Sequence, residues 1–400
     1  MWEQIKSNQV RSVALTLGIG AILLLVGFLI GWYFFGNGFV GLVIALIVWG
    51  IINLVALFQG DSILLSVSKA KKIKKEDHPR LYNIVEEMQI ASGLDKMPDI
   101  YIIDDPALNA FATGRDPKRA SVAITSGLLE KLNRDELQGV IGHEIAHIKN
   151  RDVLLMVMCG ILLGSIVMLS WFASRALLYG GAPRSRRSSS SGGNGGGIIL
   201  IVAIVLMIIA PLAAQLIYFA ISRKREYLAD ASSALYTRYP EGLASALERM
   251  AASTQEFRYA NKATAPMFTV NPFRKKGMAA SDLTSTHPPI SERIRILRSM
   301  AGASFSSYEE AYNKLHSFRR RILPVSALAP TQTVEIRAPR PEAVEPLKAS
   351  IERRRDTSEA LWQMNDYKTL TCECGTRLRI PPKLRNSAVR CPHCGRINLT

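Results

Sequence analysis

The segment IGHEIAHIKN, residues 141–150, contains two histidines four positions apart. A glutamate directly follows the first of them. Successive residues of a helix rotate by about 100°, so His143 and His147 share a face and can offer ring nitrogens to one tetrahedral zinc. Glu144 lies beside them, where it can accept a proton from an attacking water and later pass it to a leaving amine. The alternative is an amphipathic helix with structural histidines. Because the chain has only six histidines, we favour a zinc site that hydrolyses peptide bonds.

A catalytic zinc has three protein ligands and one open position, so a third ligand must come from another segment. The segment SRKREYLADA, residues 222–231, offers two carboxylates one helical turn apart. We predict that Glu226 is the third ligand. Asp230 is predicted to accept a hydrogen bond from a ligand histidine and so fix its tautomer. The alternative is a solvated charged stretch where a helix leaves a membrane.

Four of the five cysteines form a CxC pair and a CxxC pair: Cys372, Cys374, Cys391 and Cys394. Four thiolates at this spacing predict a closed structural zinc site, and metal binding would replace the core that residues 366–400 are too short to build. A disulfide framework would spread its cysteines over a small secreted domain, so the pattern indicates a reducing compartment. The alternatives are four free thiols, or His393 as one of the ligands.

The same C-terminal module is basic and has few aromatic residues. Its cations can contact acidic protein, lipid headgroups or nucleic acid, but nucleic acid is disfavoured because no interleaved aromatics are present to stack on bases. We expect the module to bind a protein partner or to capture substrate. The cations concerned are Arg377, Arg379, Lys383, Arg385 and Arg390.

Four apolar runs are long enough to cross a bilayer core of about twenty residues. Residues 13–35 and 39–58 form one hairpin, and residues 153–172 and 198–220 form a second. The first run is too long, and too closely followed by another, to be a cleaved signal peptide. The zinc segment therefore lies close to the membrane surface, directly before the third run.

The net charge of +17 together with 48% hydrophobic residues is typical of a membrane protein with basic flanks. Lysines and arginines at residues 69–75 and 223–225 adjoin the apolar runs, which favours a membrane-edge role over nucleic-acid binding. By the positive-inside rule, the catalytic domain and the C-terminus are predicted to be cytoplasmic, at the cell's inner (plasma) membrane. Three arginines in residues 184–187, on the opposite loop, weaken that orientation.

Between the hairpins, residues 76–92 have helical spacing, and DIYIID, NAFAT and SVAITS are predicted strands of a small sheet. Asn133 and Glu136 form a predicted capping box that starts a helix near Arg134, running through Asn150. Helices are also predicted at residues 223–252 and 288–318.

The chain is predicted to be a mainly α membrane protein with an α+β protease domain of the zincin type. Its parts are a hairpin (1–60), the first protease segment (61–152), a second hairpin (153–222), the second protease segment (223–320), a linker (321–365) and a zinc ribbon (366–400). Residues 255–285 have an irregular composition that suits a lid over the cleft.

Four separated segments carry a family resemblance: NAFATG, LQGVIGHEIAHIKNRD, SRKREYLADA and STHPPISERI. In this order, with paired spans around the metal helix, residues 5–320 resemble the HtpX family of membrane heat-shock zinc proteases. That family is related to the prenyl-protein endoproteases of eukaryotic membranes. The ribbon extends beyond the pattern that is common in the family.

The resemblance implies that His143, His147 and Glu226 bind the catalytic zinc and that Glu144 is the base. It also implies that Asn109, Ala110 and Phe111 belong to an edge strand that pairs with an extended substrate, although the alternative is an ordinary buried strand.

The resemblance further suggests that His287 stabilises the oxyanion opposite zinc, the alternative being a helix-entry residue before Pro288. Arg293 can do similar work, or it can pair with Glu292 or another acidic neighbour.

The expected function is endoproteolysis of membrane proteins or unfolded chains at the cytoplasmic face, in quality control or stress response, with one catalytic and one structural zinc. A maturation protease for lipidated or signal peptides is the alternative enzyme. A membrane scaffold with structural zinc sites is the alternative outside catalysis. Glu144 argues against the scaffold, because a structural site has no use for a carboxylate beside its ligands.

Overall fold

The computed structural model describes residues 2–159, 223–259, 267–270, 287–316, 321–328, 334–340 and 346–399. The second predicted hairpin, residues 153–222, lies outside the described residues except for 153–159, which are helical. The predicted lid, residues 255–285, is described only at 255–259 and 267–270.

The N-terminal hairpin consists of helices α1 (Trp2–Phe35) and α2 (Gly38–Val67), which pack along each other. Both contain a segment long and apolar enough to cross a membrane, Ile5–Leu25 and Gly38–Val67. Asn37 makes the tight turn possible, because its side chain caps α2 by accepting a hydrogen bond from the Phe39 amide. Large apolar side chains such as Trp32 and Phe58 are exposed, as expected of helices that face lipid.

A four-stranded sheet in the order β1-β2-β4-β3 follows the hairpin. Its strands are β1 (Lys71–Lys72), β2 (Asp99–Ile103), β3 (Ala110–Thr113) and β4 (Ser121–Thr125). The strand β4 is central and entirely buried, pairs in parallel with β2 and pairs antiparallel with β3. The three predicted strands are confirmed, and β3 lies at one edge of the sheet.

Helix α5 (Arg134–Lys149) runs through the middle of the domain and is buried along most of its length. The predicted capping box is present, since Asn133 accepts from the Glu136 amide and Glu136 accepts from the Asn133 amide. Helices α3 (Pro79–Ser92), α4 (Ser126–Lys131), α6 (Lys224–Thr237) and α7 (Pro240–Ala252) complete this part of the chain.

Close helix packing around α5 depends on Gly139. A Cβ atom at this position would lie 2.6 Å from the Leu243 backbone nitrogen of α7, so only glycine allows the approach. Helix α6 packs against α5 as well. This packing brings Glu226, the predicted third ligand, to the side of α5 that carries His143 and His147.

Two predicted helices are each divided in the structure. Residues 223–252 break between α6 and α7, where Arg238 adopts the left-handed conformation and Pro240 begins the next helix. Residues 288–318 divide into α8 (Ile290–Arg298) and α9 (Phe305–Leu315), and the Ser304 side chain caps the second of these by accepting from the Ser307 amide.

The prediction of a linker over residues 321–365 is wrong for the second half of that range. Helix α10 (Pro346–Met364) packs against α4, and Arg353 donates a hydrogen bond to the Glu130 carbonyl. Ala360 of α10 is fully buried. The proline-rich stretch before residue 346 indicated a linker, but the following residues have enough helix formers and apolar side chains to dock on the protease domain.

The C-terminal module contains two β-hairpins rather than a core of its own. Strands β5 (Lys368–Thr371) and β6 (Arg377–Ile380) pair, as do β7 (Ala388–Arg390) and β8 (Ile397–Leu399). Its packed side chains are those of two cysteines and a few apolar residues.

Candidate functional site

Helix α5 carries His143, Glu144 and His147, all at most 4% exposed. Their rings and carboxylate therefore lie inside the domain rather than on its surface. The Nε2 atoms of the two histidines face each other at 3.1 Å. Tetrahedral ligands at a zinc–nitrogen distance of about 2.0–2.1 Å lie roughly 3.3 Å apart, so the spacing suits a shared metal.

The other ring nitrogen of each histidine contacts a buried carboxylate. His143 Nδ1 lies 2.9 Å from Asp230 Oδ1, and His147 Nδ1 lies 3.0 Å from Asp152 Oδ2. Each carboxylate fixes the tautomer in which Nδ1 carries the proton, which leaves both Nε2 lone pairs directed at the same point.

Glu226, from α6, completes this cluster. Its Oε2 lies 3.6 Å from His143 Nε2, and its Oε1 lies 3.6 Å from His147 Nε2. The ligand atoms of the three residues all fall within 4.8 Å of one another, a separation at which they could hold a metal ion. Oε2 is buried and makes no hydrogen bond, which is costly unless a cation compensates it.

The charge balance of the cluster also favours a dication. Four buried carboxylates, those of Glu144, Asp152, Glu226 and Asp230, are only half compensated by the two guanidinium groups of Arg225 and Arg293. Burial opposes a proton on His143, but its contacts with the carboxylates of Asp230 and Glu226 outweigh burial and raise its pKa to about 9. The location therefore attracts positive charge, whether a proton or a metal ion.

Arg293 of α8 pairs with Asp230, rather than with its neighbour Glu292. Its Nε and Nη2 donate to the two oxygens of Asp230 at 2.8 Å and 2.6 Å, in a bidentate pair. Its Nη1 lies 3.5 Å from Glu226 Oε2. Burial raises the pKa of Asp230, but Arg293 and His143 outweigh that effect and lower it. Arg293, together with His143, thus favours the ionised form of Asp230.

His287 precedes α8 and lies beside Glu226, with its Nε2 atom 3.7 Å from Glu226 Oε2. Burial lowers the pKa of His287 to about 4, and Arg225 and Arg293 act in the same direction. The ring is therefore neutral at physiological pH and can donate one hydrogen bond.

The residues predicted to bind substrate lie at the start of β3, near the base Glu144. Asn109 immediately precedes β3, while Ala110 and Phe111 begin it, and all three are buried. Residues 267–270 lie against them: Thr269 contacts Ala110 and Val270 contacts Asn109. The Thr269 hydroxyl also lies 2.6 Å from Glu144 Oε1.

Asp152, Asn8 and Thr269 contribute to the site or lie against it, and they are absent from the sequence-based prediction. Arg225, expected among the membrane-edge cations, is instead buried and pairs with Glu226. Asn8 of α1 donates a hydrogen bond to Asp152, and this links the first candidate membrane helix to a metal-site histidine. The one available signal was Asp152 itself, which ends the segment LQGVIGHEIAHIKNRD. Asn8 carried no signal, because nothing in its spacing relates it to residues so far along the chain.

The four C-terminal cysteines converge as predicted. Sγ of Cys372 lies 3.6 Å from Sγ of Cys394, and Sγ of Cys374 lies 3.7 Å from that of Cys391. All four sulfurs lie within 4.8 Å of one another. Gly375 and Gly395 both have positive φ, which allows the tight turn after each cysteine pair. The donor set suits a closed tetrahedral zinc site.

Comparison with known proteins agrees with this geometry. Residues 75–301, more than half of the chain, match the model of peptidase family M48. The chain belongs to peptidase family M48. Among its relatives are the protease HtpX homologs of Dictyoglomus turgidum and Streptococcus pyogenes, 44% and 41% identical to it. Each of these alignments covers 75% of this chain, and they cover 94% and 100% of the relatives.

This M48 chain is therefore a metalloprotease of the HtpX family, as the sequence motifs predict, with two candidate membrane helices and a cysteine cluster that is consistent with a zinc ribbon. Among solved structures, it is similar to the crystal structure of S. mikatae Ste24p, with a TM-score of 0.40 and 19% identity. That match covers 74% of this chain and 67% of the other.

Proposed function

We propose that the chain is a zinc endopeptidase that hydrolyses membrane proteins and unfolded polypeptides at the cytoplasmic face of the membrane. The observation that carries the proposal is the convergence of two histidines and Glu226 within 4.8 Å, with Glu144 adjoining the pair on the same helix. Because a structural site needs no such carboxylate, the arrangement supports catalysis.

In this proposal, His143, His147 and Glu226 hold the catalytic zinc. When bound, zinc supplies Lewis acidity, polarising the scissile carbonyl and favouring an ionised nucleophile. Glu144 accepts the proton of the attacking water and returns it to the leaving amine. Asp230 and Asp152 keep the histidine rings in the tautomer that leaves Nε2 free.

His287 is proposed to stabilise the oxyanion. Its Nε2 lies 3.7 Å from Oε2 of the proposed zinc ligand Glu226, a position from which an imidazole can stabilise negative charge that develops near the metal. Arg293 is engaged by Asp230 through two hydrogen bonds, which favours a positioning role for it.

The substrate is proposed to bind as an extended strand along β3, with Asn109, Ala110 and Phe111 facing it. The position of β3 at the sheet edge supports strand addition, in which backbone hydrogen bonds give affinity with little sequence requirement. Such recognition suits a quality-control or stress-response protease, which must accept many unfolded chains. The names of the relatives, protease HtpX homologs, agree with a proteolytic activity.

A second, structural zinc is proposed at the four cysteines, and the ribbon is proposed to bind a protein partner or substrate. The cytoplasmic orientation is supported by the lysines that follow α2, at residues 69–75, and by Arg223 and Lys224 at the start of α6. The domain limits given by the sequence are kept, with residues 346–364 now assigned to α10.

The test compares purified wild type with Glu144→Gln for zinc content and for cleavage of an unfolded membrane protein. Loss of cleavage with zinc retained is the expected result, since the substitution removes the base but no ligand. Equal inertness of both proteins on a broad substrate panel, with zinc fully bound, would favour a scaffold instead.

A further inference from the structure

Residues 267–270, with the sequence MFTV, pass between the edge strand β3 and the base Glu144. Thr269 contacts both elements, and it is only 3% exposed. A peptide that is to be cleaved must occupy this same place, between a strand edge and the catalytic carboxylate. The four residues are therefore a candidate intramolecular occupant of the substrate groove.

The backbone contacts of this segment resemble those of an added strand. The Asn109 carbonyl accepts from the Thr125 amide of β4, so the next carbonyl, that of Ala110, points away from the sheet. The Thr269 amide donates to this outward carbonyl at 3.0 Å. An extended substrate would use the same acceptor.

Asn109 binds the segment's backbone through both ends of its amide. Its Nδ2 donates to the Val270 carbonyl at 2.8 Å, and its Oδ1 accepts from the Val270 amide at 3.3 Å. These bonds engage the main chain only, so they would hold any residue other than proline at that position. Asn109 thus has the chemistry to bind a peptide regardless of its sequence.

One side chain of the segment fills an aromatic pocket. The ring of Phe268 lies 5.2 Å from that of Phe111 and 4.8 Å from that of Phe257, both in edge-to-face arrangements. Phe268 is 1% exposed. Edge-to-face aromatic contacts add attraction beyond simple burial. The pocket therefore favours an aromatic residue, immediately before the residue that faces Glu144.

The segment also occupies the base. The Thr269 hydroxyl donates to Glu144 Oε1 at 2.6 Å, while the carboxylate itself is 1% exposed. The bond engages one oxygen of the carboxylate, and burial keeps an incoming water from reaching the group. This arrangement is a closed, resting form of the site.

We propose that residues 267–270 are a built-in pseudosubstrate. They fill the groove along β3, engage Glu144, and are displaced by an extended polypeptide that carries an aromatic residue for the pocket of Phe111 and Phe257. This inference rests on the proposed function and adds to it a substrate preference and a means of restraint.

Competition between segment and substrate predicts a change in KM rather than in kcat. If the segment fills the groove in nine-tenths of the molecules, the apparent KM is raised about tenfold. Phe268→Ala and Thr269→Val each weaken the segment's hold, the second with almost no change in volume. Each is expected to lower KM toward that limit, and Phe268→Ala, whose side chain lies in the aromatic pocket, is expected to leave kcat within about twofold.

The control is Phe305→Ala, which removes a buried phenylalanine of α9 that has no described contact with Glu144 or β3. It tests whether general loosening of the domain lowers KM. The inference is overturned if KM stays the same in both segment variants, or if Phe305→Ala lowers KM as much as they do.

A second arm supplies the segment in trans. The peptide acetyl-Met-Phe-Thr-Val-amide is expected to inhibit the Thr269→Val protein competitively, and the same peptide with alanine in place of phenylalanine is expected to bind at least about tenfold more weakly. Equal inhibition by both peptides would overturn the aromatic preference. Absence of any cleavage that depends on Glu144, in wild type and variants alike, would instead refute the proposed function.

Discussion

The two candidate metal sites of this chain are built in opposite ways. The ribbon takes its four sulfurs from one short segment, residues 372–394, and Cys374 and Cys394 are exposed. The site at α5 takes its third ligand, Glu226, from α6, beyond a predicted membrane hairpin, and all three ligands are buried. The ribbon has four thiolate donors, and the carboxylate beside them, Glu373, is exposed and pairs with Arg396. The α5 site has three donors and the buried carboxylate of Glu144.

This difference separates a site that supports folding from one that supports chemistry. Four local thiolates satisfy a zinc ion completely, so the ribbon can substitute metal for a core. The α5 site requires the surrounding fold to exist first. Its buried carboxylates and guanidinium groups are stable only as a complete set, because removal of any one leaves an uncompensated charge.

Substitution of the third ligand is expected to have the largest effect. Glu226→Gln keeps the side-chain shape but removes the negative charge, so the α5 site should lose its zinc and its peptidase activity should fall to background. The ribbon zinc should remain. Zinc content per chain, measured by elemental analysis beside a cleavage assay, checks this. Full retention of zinc at the α5 site would show that Glu226 is not a ligand.

The next effect concerns the carboxylates that orient the histidines. Asp152→Asn weakens the acceptor at His147 Nδ1, and we expect zinc affinity at the α5 site to fall about 10- to 100-fold. Asn8→Ala, which removes the hydrogen bonds from α1 to Asp152 and to the Asn150 carbonyl, should give a smaller loss in the same direction. Titration with a competing chelator measures both. Equal affinity in wild type and Asp152→Asn would remove Asp152 from the account.

Acid should destabilise the buried protease domain through a histidine that has no metal role. Burial lowers the pKa of His78 to about 4, while its Nδ1 accepts from the Leu81 amide at the start of α3. In the unfolded chain the pKa is near 6.5, so between pH 6.5 and pH 4 the unfolded state binds more protons. Stability should therefore fall as pH drops through this window, by up to roughly 3 kcal/mol.

Hydrogen exchange of α3 at several pH values, corrected for intrinsic rates, measures this loss. His78→Asn keeps a capping acceptor but cannot titrate, so it should flatten the dependence over the same window. If the slope is the same in both proteins, the acid sensitivity arises elsewhere.

The smallest expected effect is that of the ribbon on catalysis. Cys391→Ser should release the ribbon zinc and expose the amides of β5 to β8 to exchange, because the module has almost no other core. Since none of these residues contacts the α5 site, kcat/KM on a short soluble peptide should change by no more than about twofold. A larger loss would mean that the ribbon acts on the protease domain.

The sequence alone predicted what depends on local spacing. The histidine pair, the Asn133 capping box, the three strands and the cysteine cluster all follow from patterns within a few residues of each other. Spacing alone does not assign Glu226 as the third ligand, because only the packing of α6 on α5 brings it to the histidines.

Other features depend on contacts between distant residues and cannot be predicted from local sequence patterns. The contact between Asn8 and Asp152, and that between Thr269 and Glu144, join residues more than a hundred positions apart, with no periodicity to relate them. The helix α10 was missed because proline-rich residues before it suggested a linker. In each case tertiary packing decided what local propensity did not.

The central claim, that the chain holds two zinc sites of different chemistry, is tested most directly by X-ray absorption at the zinc edge. Wild type is compared with a variant in which all four ribbon cysteines are serine. The account predicts zinc with both sulfur and lighter ligands in wild type, and in the variant a single zinc with only nitrogen and oxygen ligands at about 2.0–2.2 Å and peptidase activity retained. A variant that binds no zinc, or a wild type whose zinc has sulfur ligands alone, would contradict it.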